Sequence, residues 1–343
     1  MGIGSLAINV FFTVLGPILV LVLLGALLRW KFRLDVGTLS KLNIYLFIPA
    51  FVFRSVSSST LSWGEMGGIF AMSVLQVATL GLIVWGIGRL LRVQRRTLAA
   101  IAMAVMFYNS GNYGLPLAQL AYPHRQNAST SATVDAMPGA LAKDGGAAQT
   151  FVMMAQNLLT YTIGLSIAAW AGSGGLGVGI FKLFKMPVLP VLAVSLLARW
   201  WLGIDPGHKL PIAIEHSAKL LSDAMVPVAL VTLGAQLVAN PRWPRWKPVS
   251  LVLVLRLLLG PLQMAGLLWM LHYSGVHVMD LWPWPAELLI LTAGVPTAIT
   301  TLLLTLEMAG DADLAGDCVF WTTVFSSLTI VLWLIILRAN FGG

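Results

Sequence analysis

The feature that constrains this chain most is its succession of apolar runs. Ten stretches of about twenty mostly apolar residues follow one another, at approximately 6–28, 37–56, 66–88, 97–121, 149–171, 186–203, 210–239, 248–271, 285–306 and 317–338. About twenty such residues are what a helix needs to cross the hydrocarbon of a bilayer. Inside that hydrocarbon every main-chain N–H and C=O must be paired internally, which leaves helices and closed barrels. The expected fold class is an all-α polytopic membrane protein with ten transmembrane helices. Composition excludes the soluble alternatives: only 10% of the residues are charged, against about 25% in an ordinary soluble domain. The net charge of +8 is diluted among apolar runs instead of gathered on a polar face, so no nucleic-acid partner is expected. A lone Cys318 forbids an intrachain disulfide and a cysteine metal site, and neither metal nor cofactor is expected. The first run has no basic leader or cleavage site and reads as a retained span.

Orientation follows from Lys and Arg in the loops. The loops after the odd-numbered spans hold thirteen basic residues and the other side seven. This predicts an integral protein of the plasma (inner) membrane with both termini extracytoplasmic. Residues 122–148 are polar and small and read as an external loop, and 172–185 read as a cytoplasmic linker.

An internal repeat is suggested by recurring residues. Leu27, Arg29, Trp30 and Asp35 answer Leu197, Arg199, Trp200 and Asp205 at an offset of 170; Pro49 answers Pro227 at 178, and Pro116 answers Pro296 at 180. Two halves follow, 6–171 and 186–338, within one membrane domain spanning 1–343. Each half has five spans, an odd number, so the second lies inverted relative to the first, as in many secondary transporters.

Span 4 carries Phe107-Tyr-Asn-Ser-Gly-Asn-Tyr-Gly-Leu-Pro116 and span 9 carries Ala293-Gly-Val-Pro-Thr297. Proline removes a donor and clashes with the preceding turn, and glycine loosens the backbone. Both spans are therefore expected to break near their middles. Broken backbone at membrane depth needs protein or a watery cavity around it. Half-helix N-termini offer N–H groups to an anion, and half-helix C-termini offer carbonyls to a cation. Paired broken helices in inverted halves point to a midplane binding site. The candidate binding residues are Asn109, Gly111, Asn112, Tyr113, Pro116, Gly294, Val295, Pro296 and Thr297.

The stretch Asn109–Pro116 resembles the span-4 motif of the auxin efflux carrier family. Gly294-Val-Pro-Thr297, continued through Glu307 and Gly310-Asp311, is similar to its span-9 motif. Ala224–Leu237 and Gln156–Gly164 resemble its seventh and fifth spans. The resemblance implies a ten-helix fold like that of the bile-acid/sodium symporters, with spans 1, 2, 6 and 7 as scaffold. Spans 3, 4, 5, 8, 9 and 10 would form a moving domain in which broken helices 4 and 9 cross. It implies a secondary transporter, not an enzyme, that carries organic anions such as auxin or malate by an elevator-like shift. The expected partners are a small organic anion and the lipid bilayer, with a homodimer left open. Two alternatives stand beside this: a sodium-coupled symporter of the bile-acid type, and a membrane-embedded ligand sensor that does not transport.

Gln76, Gln156 and Asn157 are either polar supports for a cation or substrate beside the crossing, or interhelical hydrogen bonders. Asp223 is either a coupling group in span 7, where a charge is costly, or a group near the outer surface. Arg256, about eight residues into span 8, either draws an anion into the pathway or extends to the cytoplasmic interface; the second reading is favoured. Asp311 or Asp313 is expected to cap the tenth helix.

Overall fold

The structure is a computed structural model that describes residue 12 and residues 16–57, 59, 61–122, 144–172, 188–202, 212–238, 244–274 and 281–341. Of the expected 122–148 loop only 122 and 144–148 are described, and its last four residues are not loop but the buried first turn of a helix capped by Asp144; the 172–185 linker lies outside the described residues except at 172. The described chain is helical: α1 Gly16–Phe32, α2 Val36–Ser57, α3 Trp63–Leu90, α4 Arg95–Met106, α5 110–121, α6 Gly145–Ala171, α7 Val188–Leu202, α8 Ile212–Leu237, α9 Trp246–Tyr273, α10 Ala286–Ala293, α11 Ile299–Glu307 and α12 Ala312–Phe341. Six of them (α2, α3, α6, α8, α9 and α12) are long and apolar enough to cross a membrane. The runs read as spans 4 and 9 each appear as two short helices with an extended link, α4 to α5 and α10 to α11.

Side chains point the way a bilayer requires. Leu82 and Trp85 on α3, Leu23 and Leu27 on α1, and Leu328 and Leu332 on α12 are exposed. In water such a girdle would be an aggregation surface; in lipid it is the solvated face. Helix ends are closed by local chemistry. Ser62 and Glu65 form a reciprocal capping box at α3. Asp35 accepts from the N–H groups of Gly37 and Thr38 to start α2. Asp311 accepts from Leu314 N–H at the start of α12 and pairs with Arg245 at 2.6 Å, which meets the expectation of an aspartate cap there.

The helices pack as two groups. In one, α1 lies along α8, α7 along α2, and α2 against α8. In the other, α3 packs on α4 and α6, and α12 packs on α4, α9 and α11. The first group is tight because glycine lets the backbones touch. A β-carbon on Gly25 would lie 2.0 Å from the carbonyl oxygen of Val231, and one on Gly234 would lie 1.8 Å from that of Val22. Small residues at helix contacts are the usual route to close packing in lipid, where dispersion replaces the hydrophobic effect.

Gly234→Val is therefore expected to force α8 off α1, at a cost of at least about 1–3 kcal/mol, the usual cost of overpacking. A lowered unfolding midpoint in detergent checks it. A second expectation concerns pH. Partial burial works to raise the Asp311 carboxyl, but Arg245 and the Leu314 N–H outweigh it and hold it below its ordinary 3.8. A depressed carboxylate stabilises the fold above its unfolded pKa, and this is lost as pH falls through the lower folded value. Asp311→Asn should therefore lower the midpoint at pH 7 and have progressively less effect as pH falls below the ordinary 3.8 and through the lowered folded value. An undiminished effect there would assign the loss to something other than the carboxylate charge.

Candidate functional site

The two interrupted helices meet where each is broken. Tyr108 and Thr297 form an antiparallel bridge. Asn109 N–H donates to Pro296 O at 2.8 Å, and Ala298 N–H donates to Phe107 O at 3.1 Å. Each broken segment thus satisfies the other's main chain. Thr297 is locked further: its hydroxyl donates to Ala104 O at 2.8 Å, and its N–H donates to the Thr322 hydroxyl at 3.0 Å. The break in the first helix lies at Phe107–Asn109, the start of the expected stretch, ahead of its glycines and proline. The rest of the stretch forms the wide first turn of α5, Ser110–Gly114, and Pro116 sits in the first turn of the ordinary helix that follows. Proline is well suited there, where its missing N–H would have no partner anyway. Pro296, by contrast, lies in the extended link. The crossing pairs Tyr108 with Thr297, an offset of 189, so the two prolines matched at 180 occupy unlike places.

Arg256 corrects the sequence reading outright. It does not reach for the interface; it is fully buried at the crossing. Its Nε donates to Val295 O at 3.1 Å, one Nη to Val105 O at 2.8 Å, and the other to Ala293 O. These carbonyls belong to the C-terminal ends of α4 and α10 and the link beyond, where helix dipoles concentrate negative charge. The Tyr108 ring lies across the guanidinium at 4.3 Å. The sequence folds this way because α9 widens to a π turn over Val254–Leu259, and the Trp333 indole N–H donates to Leu257 O at 2.9 Å. Such turns recur at functional sites.

The positive ends face the other way. Asn109 caps α5, its Oδ1 accepting from Asn112 N–H at 3.2 Å. The N–H groups of Gly111, Ile299 and Thr300 find no hydrogen-bond partner among the described residues. Gly111, Asn112, Ile299 and Thr300 are partly exposed, although the residues around them are buried. Asn109 Nδ2 is buried and unpartnered among the described residues. From the other helix group, Asn43 on α2 donates to Asn112 Oδ1 at 2.8 Å. A cavity of about 190 Å³ opens between α8 and the α11–α12 pair, lined by Gln236, Ile299, Leu302 and Asp317 among others.

The remaining sequence candidates separate. Gln76 and Gln156 join the crossing: the Tyr108 hydroxyl donates to Gln76 Oε1 at 3.4 Å, and Tyr108 N–H approaches Gln156 Oε1 at 3.5 Å. Tyr113 is buried beside α12, accepting from the Ser326 hydroxyl at 3.3 Å. Gly294 ends α10, and Val295 acts through its carbonyl. Asn157 is partly buried, and no hydrogen bond ties its side chain to the crossing among the described residues. Asp223 is not part of it either: it pairs with Lys219 at 3.2 Å and Arg54 at 3.8 Å, about half exposed. Sequence reasoning missed Asn43, Tyr108 and Gln149, whose Nε2 donates to Ser110 O at 3.0 Å. For Asn43 and Gln149 the available signal was an isolated amide in or at the edge of an apolar run; Tyr108 gave none beyond its place beside Asn109.

A membrane-embedded crossing of two interrupted helices, polar at its centre, is the architecture of a membrane transport protein. The membrane transport protein family profile matches residues 10–177 and 176–334. An uncharacterised transporter of Methanothermobacter thermautotrophicus is 26% identical over 327 residues, covering 93% of this chain and 96% of that protein. An uncharacterised transporter of Methanocaldococcus jannaschii is 22% identical over 305 residues, covering 86% and 87%. The chain belongs to the auxin efflux carrier-type membrane transport family and is an integral membrane protein.

Thr322→Val tests the crossing's construction. It leaves the buried N–H of Thr297 without an acceptor, which costs about 1–3 kcal/mol. A clear fall in unfolding midpoint is expected, while Thr329→Val, a change at an exposed hydroxyl on the same helix, should leave it nearly unchanged.

Proposed function

We propose that this protein is a secondary transporter of a small organic anion, a carboxylate or dicarboxylate of the auxin or malate kind. The ten apolar runs would all span the bilayer, as two inverted halves of five. Helices α1, α2, α7 and α8 would be the scaffold. The others would move past it as one elevator-like body carrying the crossing.

The observation that carries this reading is the unequal treatment of the helix ends. Four half-helix ends converge at the crossing. The two carbonyl ends are occupied by Arg256. The two N–H ends keep donors free at partly exposed residues, beside the amides of Asn109 and Asn112. Unpaired N–H groups at helix starts are a ready anion site, and the amides add direction. Asn43 supports the site from the scaffold side. The cavity reaching Ile299 supports a route to it from one face of the membrane.

The test is uptake of radiolabelled malate, malonate and indole-3-acetate into proteoliposomes. Asn112→Ala is expected to lower uptake of the carried anion at least tenfold, with gel-filtration profile and unfolding midpoint close to wild type. Undiminished uptake would remove Asn112 from the site. Saturable binding of a carboxylate with no flux would favour the sensor reading.

A further inference from the structure

We infer that Arg256 is a built-in counter-cation of the crossing: the guanidinium stands where a coupling metal ion would be held, so the protein works without sodium at this position. Three main-chain oxygens, of Val105, Ala293 and Val295, converge there. They come from the two interrupted helices, Val105 and Ala293 at the C-terminal ends of α4 and α10 and Val295 in the link after α10, so the place carries concentrated negative potential. In hydrocarbon such carbonyls must find a donor or a cation. A free cation would use these oxygens as ligands. Here each of them receives an N–H from a different nitrogen of one side chain, and the Tyr108 ring closes one face at 4.3 Å. The guanidinium fills the place between the three oxygens that a metal ion would occupy.

The surroundings are shaped for the guanidinium. The wide turn of α9 carries Arg256 into the crossing. One turn later Gly260 keeps space open: a β-carbon there would come within 2.9 Å of the Ala293 oxygen. The side chains that hydrogen-bond Tyr108 are uncharged, Gln76, Gln156 and Thr292, and among the described residues no carboxylate pairs with Arg256, so carbonyl dipoles balance the guanidinium charge. A permanent cation needs no gradient to arrive and does not leave during a cycle. The inference extends the proposed transport function, but its test uses cations alone, so failure of one does not decide the other.

The test uses the full chain purified in detergent, with thermal unfolding followed in sodium, choline or guanidinium chloride at low millimolar concentration and constant ionic strength. Wild type is expected to unfold at the same temperature in sodium as in choline, and to bind no radiolabelled sodium saturably. Arg256→Ala keeps the three oxygens and removes their partner. It should unfold at a lower temperature than wild type, and guanidinium should raise its midpoint saturably by about 2–4 °C or more, with choline inactive. Saturable sodium binding to wild type that stabilises it would overturn the inference. So would a folded Arg256→Ala protein that does not distinguish guanidinium from choline. If that variant yields no folded protein, the wild-type sodium measurements decide the matter alone.

Discussion

A helix interrupted at membrane depth exposes main-chain groups that lipid cannot solvate, and the structure depends on how that debt is settled. Each unpaired group would cost several kcal/mol in hydrocarbon. The solution is mutual. The two links pair through Asn109 with Pro296 and Ala298 with Phe107, so neither break is tolerable without the other. What strand pairing leaves over, the side chains take: Arg256 binds three carbonyls and Thr297 a fourth. Burying a lone guanidinium is ordinarily prohibitive. It is sustainable here because each of its three nitrogens donates to an oxygen that needs a donor, and the Tyr108 ring covers one face.

This settlement gives the site its polarity. Carbonyl ends and N–H ends arrive together at any helix crossing, and left alone they would offer a cation place and an anion place of similar strength. A fixed positive group on the carbonyl side breaks that symmetry. The donors of Gly111, Ile299 and Thr300 then sit in a field already tilted toward negative charge. Under the proposed function, selectivity for an anion would need no lysine or arginine touching the ligand, and the Nδ2 groups of Asn109 and Asn112, whose oxygens are already engaged, would donate to it.

Much of the fold was legible in the sequence because burial in lipid writes long, uniform signals. Helices occur within all ten apolar runs, and the aspartate at 311 caps where it was expected to. The fine placement was not legible. The break fell within the expected stretch, at its first residues Phe107–Asn109, while its glycines and proline open α5, since proline and asparagine are as much helix-opening residues as helix-breaking ones. Arg256 was misread for a similar reason. A charge eight residues into a span looks near the interface when the span is a uniform rod; the wide turn in α9 and the absent backbone of two broken neighbours make a polar centre that hydropathy cannot register. Asn43 was passed over because its role depends on a partner 69 residues away. The repeat shows the same limit: matched prolines suggested an offset of 180, while the bridge sets 189, because side-chain identity and crossing geometry are separate properties.

The distribution of contacts also bears on how such a molecule could move. The α1–α8 contact is backbone against backbone at Gly25 and Gly234, with no room to slide, and the crossing is fastened by main-chain and guanidinium bonds. Motion of either unit against itself would break many bonds at once. Between the groups the joints include the Asn43–Asn112 hydrogen bond, apolar contacts and a cavity along α8, and at the chain connection ahead of α3 the Arg199 guanidinium of α7 donates to Ser59 O and Leu61 O. A neutral amide pair is worth roughly 1 kcal/mol, and Asn112 enters it through Oδ1, which leaves its Nδ2 to donate to an anion. In the proposed elevator-like carrier, cargo and scaffold would then meet on one side chain through different atoms, so that turning the amide toward a bound anion would strain the contact with Asn43.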